Sequence, residues 1–171
     1  MYNQQISKFC RILKNNIKYH NHLHRPSLDN KDYESIKNTI KKGEVSTYGA
    51  NTNNFEKKLS DYLNVKNLVS TINGTSSLHA ILSYLKINSQ DEVLVQTLTF
   101  VATINPILYL GASPHFIDSC PNTLAADPDK LENYLKSKKF IKKANSLLNA
   151  KTGKRIKILI ITHIYGYSAN I

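Results

Sequence analysis

An α/β fold with a mostly parallel sheet is what this 171-residue sequence predicts. Three observations carry that expectation. Short β-prone runs alternate with helical ones, the order that builds parallel strands joined by right-handed crossovers. Capping residues or glycines punctuate the helical runs. And the apolar run KILIIT, residues 157–162, lacks the polar alternation of a half-exposed strand, which fits a central strand buried on both faces.

Residues 1–28 read as an irregular, basic leader rich in histidine. Within it His20, His22 and His24 alternate, so an extended chain shows them on one face. A metal needs a fixed geometry and further ligands, which such a leader does not offer. From residue 29 to 171 the pattern is that of one organised unit. Asp29 or Asn30 caps a helix with Tyr33, Ile36 and Ile40 at helical spacing, and Gly43 supplies a left-handed stop. Residues 44–49 read as a loop, followed by an amphipathic helix that turns Phe55, Leu59, Tyr62 and Leu63 inward. A strand is expected over 67–72, a helix over 78–85, and a second strand at DEVLVQ, residues 91–96. Next come a helix over 101–110 closed by Gly111, a third strand at SPHFID, and a helix opened by Asp127 and Pro128. Residues 136–155 read as an exposed lysine-rich connection with helical pieces, and the last strand starts at Arg155.

Composition narrows the function classes. The formal charge is +11, but the lysines are scattered in pairs such as Lys57-Lys58 and Lys142-Lys143, with no Arg-rich stripe or aromatic platform. Nucleic-acid binding is therefore not expected, although a positive field favours anionic substrates. No apolar run approaches the ~20 residues that cross a bilayer. The first twenty residues lack an apolar core and a small-residue cleavage site, so retention in the cytoplasm is the expectation. Cys10 and Cys120 have neither metal-ligand spacing nor a disulfide framework around them.

The chemistry concentrates at strand ends. Asn73-Gly74-Thr75-Ser76-Ser77 stands at a strand-to-helix junction, where free N–H groups and the helix dipole favour a phosphate. Gly74 admits close backbone approach, and Thr75 and Ser76 add hydroxyl donors. By itself such a segment is more commonly an ordinary helix cap with no ligand. One strand later, Thr97-Leu98-Thr99-Phe100 occupies the equivalent end, where ligands of open α/β sheets gather. The Phe100 ring there is suited to stack on a flat heteroaromatic group, or to join the core. The last strand runs out into Thr162-His163-Ile164-Tyr165-Gly166, placing His163 at the same edge, in a ligand or a structural role.

The succession VSTYG, NNFEKKLSDYL, NGTSSLHAIL, DEVLVQTLTFVATINPILYLGASPHFID, DPDKLENYL and THIYG resembles the DegT/DnrJ/EryC1/StrS aminotransferases, collinearly from about Leu23 onward. The stretch LHRPSLDNKDYESIKNTIKKGEVST is most similar to the branch that aminates UDP-linked 4-keto sugars of the legionaminic acid or bacillosamine type. The resemblance implies the large domain of an aspartate-aminotransferase-like fold (fold type I) and pyridoxal 5'-phosphate as cofactor. It assigns Gly74, Thr75 and Ser76 to the cofactor phosphate and Phe100 to its ring; His163, from its place at the same edge, is a further candidate for binding the cofactor. It also implies a homodimer, glutamate as amino donor and a keto sugar on a nucleotide as acceptor, for surface glycans.

Two residues that this family uses, the lysine bonded to the cofactor and the aspartate on its pyridine nitrogen, have no counterpart in a matching motif up to Ile171. The expectation is an N-terminal piece of the large domain, incomplete at its C-terminus, with no catalytic residue of its own and no turnover in isolation. A sugar dehydratase of the same superfamily, with histidine in place of the lysine, and a non-catalytic α/β interaction module are the alternatives.

Overall fold

The computed structural model describes residues 7, 8, 10–12, 26–46 and 49–170, arranged as two compact units, 1–69 and 70–171. The alternating histidines and Thr47-Tyr48 lie outside the described residues. Residues 7, 8 and 10–12 are helical, so the leader is not irregular throughout.

In the first unit, α1 (Asn30–Lys41) is opened by Asp29, whose carboxylate accepts from the N–H groups of Lys31 and Asp32 and whose own N–H donates to the Asp32 carboxylate, completing a capping box. Gly43 takes the left-handed conformation, φ +71°, that ends it. Helix α2 (Ala50–Leu63) has no side-chain cap at Gly49; the Glu44 carboxylate instead accepts from the Ala50 N–H at 3.2 Å. Neither helix has a buried residue. Tyr33, Ile36, Ile40, Phe55, Tyr62 and Leu63 are all exposed, against the expectation that the last three turn inward. An amphipathic face is buried only where a second apolar surface meets it.

The second unit holds a five-stranded mixed sheet in the order β2-β1-β5-β4-β3. Its elements are α3 (Gly74–Tyr84), β1 (Asp91–Gln96), α4 (Val101–Tyr109), β2 (Ser113–Ile117), α5 (Pro128–Leu135), β3 (Phe140–Lys143), β4 (Ser146–Asn149) and β5 (Arg155–Ile160). Strands β2, β1 and β5 are parallel, as expected. The connection over 136–155 is instead an antiparallel hairpin, β3 and β4, which extends the sheet beyond β5. Its lysines hid a strand because an edge strand tolerates charge on its free side. The strand expected over 67–72 is not formed. No strand ladder with the described residues includes this stretch, and Val69 and Ile72 are exposed.

Burial also shifts from the expected strand. All six residues of β1 are buried, whereas β5 alternates exposed and half-buried positions. The register shifts between Glu92 and Val93, leaving Lys157 without a partner. That bulge sends Ile158 and Ile160 to the core of Leu82, Ile87, Val93, Ile107 and Ala112, and Ile156 to the core of Leu94, Ile117 and Ala126. Helices α3 and α4 cover the first face and α5, through Leu131 and Leu135, the second. Lys157 turns outward and donates to the carbonyls of Leu85 and Lys86, satisfying the end of α3. Among the described residues no helix is long and apolar enough to cross a membrane.

Candidate functional site

The sheet order decides where a ligand has room. From β1 the chain crosses to β2 through α4 on one face, and leaves β2 through α5 on the other. The loops therefore diverge between the carboxyl ends of β1 and β5, the switch point where open α/β sheets bind ligands. Helices α3 and α4 both end near the amino edge: a Cβ added at Gly111 would lie 3.6 Å from Ser89 Cβ, so the turns leading into β2 and β1 touch. Both helix starts consequently face the carboxyl edge.

At that edge the residue after Phe100 begins α4, and Thr99 and Thr162 share a hydroxyl–hydroxyl bond of 2.9 Å across the switch point. Thr99 also bonds the Thr103 hydroxyl at 3.0 Å, inside the first turn of α4. Phe100 and His163 are each one residue from this pair. The structure thus brings together two of the expected clusters. Phe100 is 73% exposed, so its ring is not a core residue. His163 is exposed, and its Nδ1 accepts from the Ala169 N–H at 3.0 Å, which leaves Nε2 to face solvent or a ligand.

Gly74, Thr75 and Ser76 form the first turn of α3, four residues earlier than the helix start expected at 78. Asn73 caps it, accepting from the Ser76 N–H at 2.8 Å. The N–H groups of Gly74 and Thr75 and the hydroxyls of Thr75 and Ser76 have no partner among the described residues. A Cβ on Gly74 would meet nothing within 4 Å, and no acidic residue stands in the first turn of α3 or α4. Unclaimed donors, open space and an uncompensated helix dipole fit a phosphate dianion. With the bare Phe100 ring at the same edge, these residues fit a phosphorylated, flat heteroaromatic cofactor such as pyridoxal phosphate. No hydrogen bond or ring contact links the turn to Phe100 directly, so a ligand would be what joins them.

Sequence reasoning missed Gln96, the last residue of β1. Its side chain is fully buried, and Oε1 accepts from the N–H groups of Thr162 at 3.1 Å and Ala126 at 3.2 Å. Nε2 donates to the Leu98 carbonyl at 2.8 Å. An amide closing an otherwise apolar strand end was the available signal. A second buried cluster lies two strand positions below Leu94, on the same face. Glu92 accepts from Thr152 at 2.6 Å and Asn149 at 2.9 Å and pairs with His115 Nδ1 at 2.6 Å, and His115 Nε2 meets the Tyr134 hydroxyl at 2.9 Å. Burial alone would raise the Glu92 carboxyl, but bonds from Thr152, Asn149 and His115 outweigh it and hold it below its ordinary 4.5. Every oxygen there is answered by protein.

A cavity of about 580 Å³ lies between β2 and α5, lined by Phe116, Asp118, Lys130, Tyr134 and Lys139 among others, none of them an expected site residue. Cys10 and Cys120 are free. The N–H groups of Thr123 and Asn122, with the Thr123 hydroxyl, hold the Cys120 thiol below its ordinary value. Among the described residues no three metal-ligating side chains come together.

Comparison with known proteins identifies the family. EpsN of Bacillus subtilis, named as a pyridoxal phosphate-dependent aminotransferase, is 32% identical over 150 residues, covering 88% of this chain and 36% of EpsN. GDP-perosamine synthase of Vibrio cholerae is 30% identical over 149 residues, 87% of this chain and 36% of that protein. The chain thus spans about a third of the length of these relatives. Among solved structures, ntda from Bacillus subtilis with bound cofactor PMP superposes with a TM-score of 0.66 at 27% identity, over 91% of this chain and 34% of that one. None of these three is named as a dehydratase. Residues 26–171 match the profile of one family, and the chain belongs to it: the DegT/DnrJ/EryC1/StrS aminotransferase family.

Proposed function

We propose that this chain forms the phosphate- and ring-holding part of a pyridoxal-phosphate site in an enzyme that transfers an amino group from glutamate to a keto sugar linked to a nucleotide, for surface-glycan synthesis. The observation that carries this is the pair of unclaimed N–H groups at Gly74 and Thr75, at the same sheet edge as the bare Phe100 ring. When bound, the cofactor supplies an electron sink for moving the amino group. The chain's own part is positioning. Gly74, Thr75 and Ser76 hold the phosphate, Phe100 covers one face of the ring, and His163 Nε2 stands ready to hold a proton or a polar substituent beside it. A relative named for a GDP sugar and motifs of a UDP-sugar branch both match this chain, so the acceptor is proposed as a nucleotide-linked keto sugar of either kind. The homodimer and cytoplasmic location implied by the resemblance belong to the same proposal. Exposed Ile81, Tyr84, Leu108 and Tyr109 on α3 and α4 offer apolar surface for a subunit contact.

Two measurements test the reading. Calorimetric titration of the purified chain with pyridoxamine phosphate should show one saturable site; an absence of binding contradicts the cofactor assignment. Deleting the coding region in its host should make a nucleotide-linked keto sugar accumulate and its amino counterpart disappear in mass spectra of the nucleotide-sugar pool. An unchanged pool contradicts the reaction.

A further inference from the structure

We infer that Gln96 is a positioning residue of this site, setting the ring-side residues Phe100 and His163 in register with each other while leaving the phosphate turn untouched. The inference rests on the pyridoxal-phosphate reading above. Gln96 lies beneath the switch point, wholly buried at the end of β1, and its amide serves three backbone segments at once. Nε2 holds the Leu98 carbonyl, two residues before Phe100; Oε1 holds the N–H of Thr162, the residue before His163; and the same oxygen holds Ala126 in the loop before α5. The Thr99–Thr162 hydroxyl bond then closes the arrangement from above. Phe100 and His163 themselves make no contact that would fix one against the other among the described residues. What sets them is the backbone on either side, and Gln96 ties both backbones together from beneath, as the Thr99–Thr162 bond does from above.

The chemistry required is narrow. The position needs donors toward the carbonyls of Leu98 and Leu124 and an acceptor toward two N–H groups from one planar head, which a carboxamide supplies without a change of charge. A carboxylate of the same shape keeps the acceptor but sets a negative oxygen against the Leu98 carbonyl. A methionine of similar length fills the space and offers neither. Gly74, Thr75 and Ser76 share no hydrogen bond with Gln96 or with the residues it holds. Loss of the amide should therefore loosen the ring-side contacts alone.

The test compares two ligands on the full 171-residue chain and its Gln96→Met and Gln96→Glu variants. Pyridoxamine phosphate reports ring and phosphate together; inorganic phosphate reports the turn alone. Affinities come from calorimetry, the ring environment from the induced circular dichroism of bound pyridoxamine phosphate, and folding from far-ultraviolet melting. For either variant that folds, pyridoxamine phosphate affinity should fall about tenfold, the loss expected for misplacing one aromatic contact and its neighbours. The induced signal should shrink in parallel, and phosphate affinity should stay within about twofold. An unchanged pyridoxamine phosphate affinity overturns the inference, as does an equal fall for both ligands, which would make Gln96 a support of the sheet end as a whole. Failure of both variants to fold overturns it in the same way. If the unaltered chain binds no pyridoxamine phosphate, it is the cofactor reading that has failed.

Discussion

The two ends of β1 carry the two buried polar side chains of one sheet face, and they are handled in opposite ways. At the amino end the Glu92 carboxylate meets Thr152, Asn149 and His115, and His115 is itself met by Tyr134. At the carboxyl end Gln96 is just as buried but spends its amide on backbone groups of loops. At the same edge the N–H groups of Gly74 and Thr75 and the Phe100 ring are left unengaged among the described residues. A charged group whose every bond is answered by side chains of the same unit is a structural device. A neutral group that tensions loops around unanswered donors belongs to a binding site. The number of polar residues does not separate the two; the number of open valences does.

The comparison predicts separable losses. Replacing Glu92 with Ala strips partners from Thr152, Asn149 and His115 and should lower unfolding stability by about 3 kcal/mol in urea titrations. Pyridoxamine phosphate affinity in the protein that remains folded should be unchanged; a matching loss of affinity would break the division between the two ends. The double substitution Thr75→Ala with Ser76→Ala removes two hydroxyl donors from the phosphate turn and should weaken pyridoxamine phosphate by roughly 30-fold, about 2 kcal/mol. Its urea midpoint should stay near that of the parent, since neither hydroxyl bonds a described residue. Phe100→Ala should cost about fivefold in the same titration, about 1 kcal/mol. Inorganic phosphate should not register that change.

The smallest expected effect is with pH. Because the folded Glu92 carboxyl titrates below its ordinary 4.5, the unfolded chain binds more protons in acid. The cluster's contribution is therefore complete above about 4.5 and is lost as pH falls through the folded value. Glu92→Gln should flatten the acid limb of a stability–pH profile. An equally steep limb in that variant would place the acid sensitivity elsewhere.

Local signals were legible wherever the chain settles its own backbone. Asp29, Gly43, Gly111 and the Asp127-Pro128 pair stand where caps and stops were expected, because each satisfies nearby N–H groups or sets a dihedral without help from afar. Phe100 and Thr162 reached one edge because parallel strands deliver their ends there. What escaped depends on distant partners. The hairpin over 140–149 is a strand pair only because β5 offers it an edge. Residues 67–72 fit a strand by composition yet join no ladder among the described residues. The apolar run in β5 promised two buried faces, but the bulge at Lys157 and the cover actually present leave it half-exposed. Gln96 and Glu92 escaped for the same reason, since apart from the Leu98 carbonyl their partners lie 23 to 66 positions away.

Amide chemical-shift mapping with pyridoxamine phosphate weighs the two ends of β1 in one spectrum. The account predicts that the largest shifts fall on Gly74 and Thr75, with Phe100 and His163 following, while Asn149 and Thr152 around Glu92 stay still. Shifts centred on Asn149 and Thr152, or none at Gly74 and Thr75 at saturation, would contradict it.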